Sequence, residues 1–119
     1  MDKNIPLSEL IRIGSKVTLQ CNGSLYQPLR VHEVHVTHTC AIGAAYIAKF
    51  GHFAGPVGTG EALRACGVDP LTLVPEPVGM RGMRESGFSL PLISAITCMN
   101  DIGGWTRERI ADWLQSIGL

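Results

Sequence analysis

Apolar residues recur along the chain with two periods, and the changes of period mark out the elements. Leu7, Leu10, Ile11 and Gly14 fall at i, i+3, i+4 and i+7, with Ser8, Glu9 and Arg12 on the outer side. This predicts a helix that opens near Pro6 or Leu7, and proline suits a first helical turn. Val17 to Gln20 alternates and Asn22-Gly23 is a strong turn signal, so a short hairpin is expected there. Leu29 to Thr37 is rich in β-branched residues, but its apolar phase shifts between Val31 and Val34, as a strand bulged near His32-Glu33 would.

Thr39 is placed to cap a helix from Cys40 to Phe50, in which Ala41, Ala44, Ala45 and Ala48 leave little bulk and let neighbours come close. Gly51 to Gly60 reads as loop. A short helix from Glu61 to Cys66 ends at Gly67, a residue suited to the left-handed conformation, and Asp69-Pro70 confirms the stop. Pro75 and Pro77 restrict Leu71 to Val78 to an edge strand or an extended loop, and Val78 to Gly87 is a second glycine-rich connection.

The last third carries the clearest pattern. Ser89 as N-cap and Pro91 in the first turn begin a helix whose Leu92, Ile93, Ile96 and Met99 form a stripe ending at Asn100-Asp101. Gly103-Gly104 turns the chain, Thr106 caps the final helix, and Glu108 complements the positive end of its dipole. Ile110, Trp113, Leu114 and Ile117 then repeat at helical spacing until Gly118. The expected fold is mainly α, with α+β as the alternative: a compact bundle of four to five helices, a C-terminal helical hairpin from Ser89 to Ile117, and one or two short β segments.

The 119 residues fit one domain, 1–119, and 45% apolar with 17% charged residues is ordinary for a globular chain. Ten basic and ten acidic residues cancel, which disfavours extended nucleic-acid binding driven by phosphate contacts. Absence of colloidal repulsion makes a homo-oligomer a reasonable expectation. No segment approaches the roughly 18 apolar residues of a membrane span, and the N-terminus lacks the features of a secretory signal, so a cytoplasmic protein without membrane contact is expected. Cys21, Cys40, Cys66 and Cys98 are then expected to be buried free thiols.

Four constellations bear on chemistry. His32, His35 and His38 stand three apart, with Cys40 two beyond the last, and imidazole with thiolate can bind zinc or copper. On a strand His32 and His38 would share one face and His35 the other, so convergence of His35, His38 and Cys40 on a metal is the lesser alternative to a row of hydrogen-bonded histidines. Gly55 to Gly60 supplies the glycines of a phosphate loop, yet Glu61 and Ala62 stand where its lysine and hydroxyl residue belong. The amides of Gly58, Thr59 and Gly60 remain candidates for holding a small anion beside Arg81 and Arg84. Cys40 near His38 invites a nucleophile reading, but no orienting Asp or Asn completes it. Asn100, Asp101, Trp105 and Arg107 form the densest functional-looking stretch, where turn-fixing bonds and a binding surface are the competing readings.

With Leu7-Ser8-Glu9-Leu10-Ile11-Arg12-Ile13-Gly14, Cys40-Ala41-Ile42-Gly43-Ala44-Ala45 and Asn100-Asp101 through Trp105-Thr106-Arg107-Glu108 to Trp113 in view, the chain resembles a family of small uncharacterised bacterial and phage proteins. That resemblance implies a compact helical domain in which the cysteine helix packs against the terminal hairpin, and it brings no activity or cofactor with it.

These readings converge on a non-enzymatic binding module, expected to sequester a small anionic or nucleotide-like ligand or to dock a partner protein. Its candidate ligand-binding residues are Gly58, Thr59, Gly60, Arg81, Arg84, Asn100, Asp101, Trp105 and Arg107. No complete catalytic set is recognisable. The alternatives are a metal- or thiol-dependent enzyme using His35, His38 and Cys40, and an oligomerisation protein whose hairpin associates through Trp105.

Overall fold

The computed structural model describes residues 5–20, 26–31, 34–51, 57–75, 77 and 89–119. Among these, five α-helices dominate: α1 (Leu7–Ser15), α2 (Ala41–Phe50), α3 (Thr59–Ala65), α4 (Leu92–Thr97) and α5 (Arg107–Ser116). Short strands form two small sheets, so the chain is mainly α with minor β content, as its periodicity predicts. β1 (Leu19–Gln20), β2 (Tyr26–Val31) and β3 (Val34–Thr39) make one sheet in the order β1-β3-β2, and β4 (Leu73–Pro75) pairs with β5 (Ser89–Pro91) in the other.

α1 is the hub of the packing. Its Leu7, Leu10 and Ile11 are buried with Ala41, Ile42 and Ala45 of α2, Leu63 of α3, Leu92 and Ile96 of α4, and Ile110 and Leu114 of α5 in one apolar cluster. Among the described helices, α1 makes its most extensive contact with α2, followed by α5. The cysteine helix therefore packs chiefly on α1 and meets the terminal helices in the common core. A methyl group at Gly14 would overlap the carbonyl of Ala44, so the alanine-rich face of α2 and this glycine together set the interhelical distance. On the outer side of α1, Arg12 reaches α5, donating to Glu108 at 3.1 Å and Asp112 at 2.6 Å. These two carboxylates raise the pKa of Arg12, with Asp112 the larger influence.

Three expectations are corrected at the strands. The phase shift at Val31 to Val34 is a chain reversal and no bulge: β2 and β3 are antiparallel, with Val31 opposite Val34 and Tyr26 opposite Thr39. β1 does not form a hairpin with β2; it runs parallel to β3, placing Leu19 beside His38 and Gln20 beside Thr39. Asn22-Gly23 lies outside the described residues. Ser89 is a strand residue and no cap, since Pro91 precedes the first turn of α4. The orphan amides of that turn find backbone partners instead, with Leu92 N–H donating to Thr72 O at 2.7 Å and Ile93 N–H to Pro70 O at 3.0 Å.

The remaining boundaries follow local rules. Cys40 caps α2, its sulfur accepting from Gly43 N–H at 3.4 Å, one residue later than the expected Thr39 cap. α3 opens at Thr59, two residues before the expected start, and Gly67 after it takes φ +89°. Beyond Thr97 the chain continues as a π-helical turn, Cys98–Ile102, before Gly104 at φ +67° redirects it into α5. Thr106 caps α5 by accepting from Arg109 N–H at 3.1 Å, as its position predicts. Among the described residues, no helix is long and apolar enough to cross a membrane.

Candidate functional site

The start of α5 sits over the end of α1 and the edge of the three-stranded sheet, and this placement buries Arg107. Its Nη1 donates to Thr18 Oγ1 at 2.7 Å and Thr39 Oγ1 at 3.0 Å. Its Nη2 donates to Thr18 O at 2.9 Å and Ser15 O at 3.4 Å. Thr18 Oγ1 in turn donates to Gly14 O at 2.7 Å and lies 3.1 Å from Thr39 Oγ1. Only a planar fork with several donors meets such a set of oxygens at once, and a cation at the C-terminal end of α1 also complements its dipole. The guanidinium thus ties together α1, the entry to β1, the end of β3 and α5.

The π-helical turn beside it is organised around Asn100, which is fully buried. Asn100 Nδ2 donates to Asp101 Oδ1 at 2.8 Å. Gln20 Nε2 of β1 donates to Asn100 Oδ1 at 3.3 Å and to Trp105 O at 2.8 Å. The widened turn closes through Gly103 N–H on Cys98 O, and Trp105 N–H bonds Met99 O. Trp105 is 5% exposed, and the Arg109 guanidinium lies over its ring, 3.8 Å from the centroid. Asn100, Asp101, Trp105 and Arg107 are therefore brought to one end of the molecule around β1, with Asp101 at the surface and the other three turned inward.

The other sequence candidates lie elsewhere. Gly58, Thr59 and Gly60 form the start of α3, a helix of seven residues, where the Glu61 carboxylate accepts from Gly58 N–H at 3.0 Å. A negative charge of the chain's own thus already stands at these amides, which opposes a second anion there. Arg81 and Arg84 lie outside the described residues. His35 and His38 lie on β3, opposite Arg30 and Gln27 of β2 in the backbone register, and their side chains lie outside the described structure. Cys40 is buried with its sulfur on the Gly43 amide. Among the described residues, no three His, Cys, Asp or Glu side chains come together as a metal-binding group.

A second place emerges only in three dimensions. The start of α1, the end of α2, the residues following α3 and those following α5 enclose a half-open cleft of about 580 Å³. Ile5, Leu7, Leu10, Ile13, Val68 and Leu119 supply apolar walls, and Cys66 lines its side. Among the described residues, Lys49 is the charged side chain of this lining. Cys66 is 5% exposed, and burial pushes its thiol pKa up to about 11, opposed by the positive charge of Lys49. Ile13 is the one sequence signal for this cleft, an apolar residue off the buried stripe of α1 and 39% exposed. Lys49, Val68 and Leu119 belong to segments that no local pattern connects.

No family model, curated protein or solved structure matches this chain, so its own geometry carries the functional reading.

Proposed function

We propose that the chain is a non-enzymatic binding module that holds a small anionic ligand in the cleft between α1, α2 and the segments after α3 and α5. The observation that carries this reading is the cleft itself, a half-open space of about 580 Å³ whose lining mixes apolar side chains with polar groups and includes Lys49. Its size is that of small-molecule sites, which join mostly apolar walls to a few polar groups. Two of the thiols weigh against a cysteine-based reaction. Cys40 commits its sulfur to the α2 cap, and burial holds Cys66 in its poorly nucleophilic thiol form near neutral pH.

This reading moves the ligand away from the glycine-rich start of α3, where Glu61 occupies the amide end. It also gives Asn100, Trp105 and Arg107 a different task, which is to fix the start of α5 and the π-helical turn against the sheet.

The test is a methyl-resolved NMR titration of the intact protein with a panel of small anions that includes nucleotides, cyclic dinucleotides and alkyl carboxylates. Shifts concentrated at Leu10, Ile13 and Val68 are the expected result. A panel that moves none of these methyl groups removes the proposal.

A further inference from the structure

The three-stranded sheet turns its polar face, not its apolar one, to the helices. Strand alternation and the register, with Leu29 opposite Val36 and Val31 opposite Val34, place these four residues on one face, and Leu19, beside His38, falls on the same face. The other face carries Thr39, which accepts from the Arg107 guanidinium, and, further out along the hairpin, Arg30 opposite His35. Leu19, whose side chain is described, is 54% exposed. Among the described elements β2 packs on β3 and makes no comparable contact with any helix. An antiparallel sheet ordinarily lays its apolar face on the core, so this face calls for a cover that the described helices do not supply.

We infer that this face is the contact between two copies of the chain, packed sheet against sheet about a two-fold axis. A two-fold contact brings residues near its axis close to their own copies, so its centre must carry no formal charge. Leu19, Leu29, Val31, Val34 and Val36 meet that condition, while Gln27 and His38 stand at the basal rim and Arg30 lies on the opposite face. The ten basic and ten acidic residues of the chain leave no net repulsion between copies. Pro28 removes an amide from the outer strand β2, which disfavours joining copies edge to edge and leaves the face as the route. Two six-residue strands and the short β1 give a face about 20 Å long and about 14 Å wide. Two such faces bury on the order of 1,000 Å² together, the lower limit of a specific interface, so the dimer is weak and reversible. Trp105, the anchor for association that residue type suggests, is buried and does not compete.

Sedimentation equilibrium of the intact protein between about 10 µM and about 1 mM tests the contact, and the mass is expected to rise from that of one chain towards that of two. Leu19→Lys sets a charge at the contact and is expected to weaken association about tenfold or more, whereas Arg30→Gln, on the opposite face, should leave it unchanged. Val36→Thr keeps the branched shape a strand prefers while trimming apolar surface, and should weaken association to a smaller extent. Melting temperatures equal to the parent's show that the variants fold. A measurement on the parent protein needs no variant: in a mixture of labelled and unlabelled copies, isotope-filtered NOEs should connect the Leu19, Leu29 and Val36 methyl groups of one copy to the other. The mass of one chain up to 1 mM overturns the inference and leaves the face to a different protein. NOEs from these methyl groups only to residues of the same copy also overturn it, because the chain then covers its own face. Association that persists equally in Leu19→Lys and Val36→Thr places the contact elsewhere and overturns it as well.

Discussion

Gly14 of α1 rests directly against the main-chain carbonyl of Ala44 in α2, with no room for a Cβ between them. The obstacle is backbone, which cannot swing aside as a side chain could, so relief requires the two helices to separate and the shared core to loosen. Gly14→Ala is therefore expected to lower stability by about 3 kcal/mol, measured by urea unfolding. Gly51 is the contrasting case: its φ is +86° and nothing lies within 4 Å of its virtual Cβ. Gly51→Ala should cost only about 1 kcal/mol, from the left-handed backbone alone. Equal losses at the two sites would show that helix proximity is not the constraint at Gly14.

Arg107 tests the buried clamp. Its donors serve Thr18 Oγ1, Thr39 Oγ1 and two carbonyls, Ser15 O at the end of α1 and Thr18 O at the entry to β1. Lysine keeps the charge but cannot span these acceptors, so Arg107→Lys should destabilise by about 2 kcal/mol or more, and Arg107→Ala by roughly 3. Thermal unfolding is the measurement, and a lysine variant as stable as the original would contradict the fork geometry.

The N-cap of α5 should behave locally. Thr106→Ala removes the acceptor for Arg109 N–H and is expected to cost about 1 kcal/mol, while Thr106→Ser restores most of it. Urea midpoints of the three proteins decide the matter.

Cys66 supplies a pH-dependent prediction. Its folded pKa is raised from 9.0 to about 11, so the folded protein holds the thiol proton more tightly than the unfolded chain. The associated stability is complete below pH 9 and is lost as pH rises from 9 towards 11, on the order of 2 kcal/mol across that window. Comparison with Cys66→Ala isolates this slope from the titration of lysines and tyrosines. In the same protein, alkylation of Cys66 near pH 7 should be slow until the chain is unfolded. Rapid labelling in the native state would contradict the burial.

Local signals made several elements legible in the sequence. The apolar period gave α1, α2 and α5 to within a residue, Gly67 and Gly118 took the left-handed stops their positions suggested, and Thr106 is the cap it looked to be. Each of these depends on groups three or four residues apart, which a sequence displays directly. The reversal between β2 and β3, the parallel pairing of β1, the π-helical turn and the backbone capping of α4 were not legible, because each is settled by a partner many residues away.

The candidate site divides along the same line. Asn100, Trp105 and Arg107 stood out by residue type, but only the folded chain decided that their polar groups face β1 and the end of α1. The cleft had no pattern to announce it: Leu10, Lys49, Val68 and Leu119 meet because four segments end at one corner. Short-range hydrogen bonding and side-chain periodicity let the sequence by itself determine which residues form a helix and where it stops. Which surfaces remain uncovered depends on how close two helices can pack, a distance set here by a missing methyl group at Gly14.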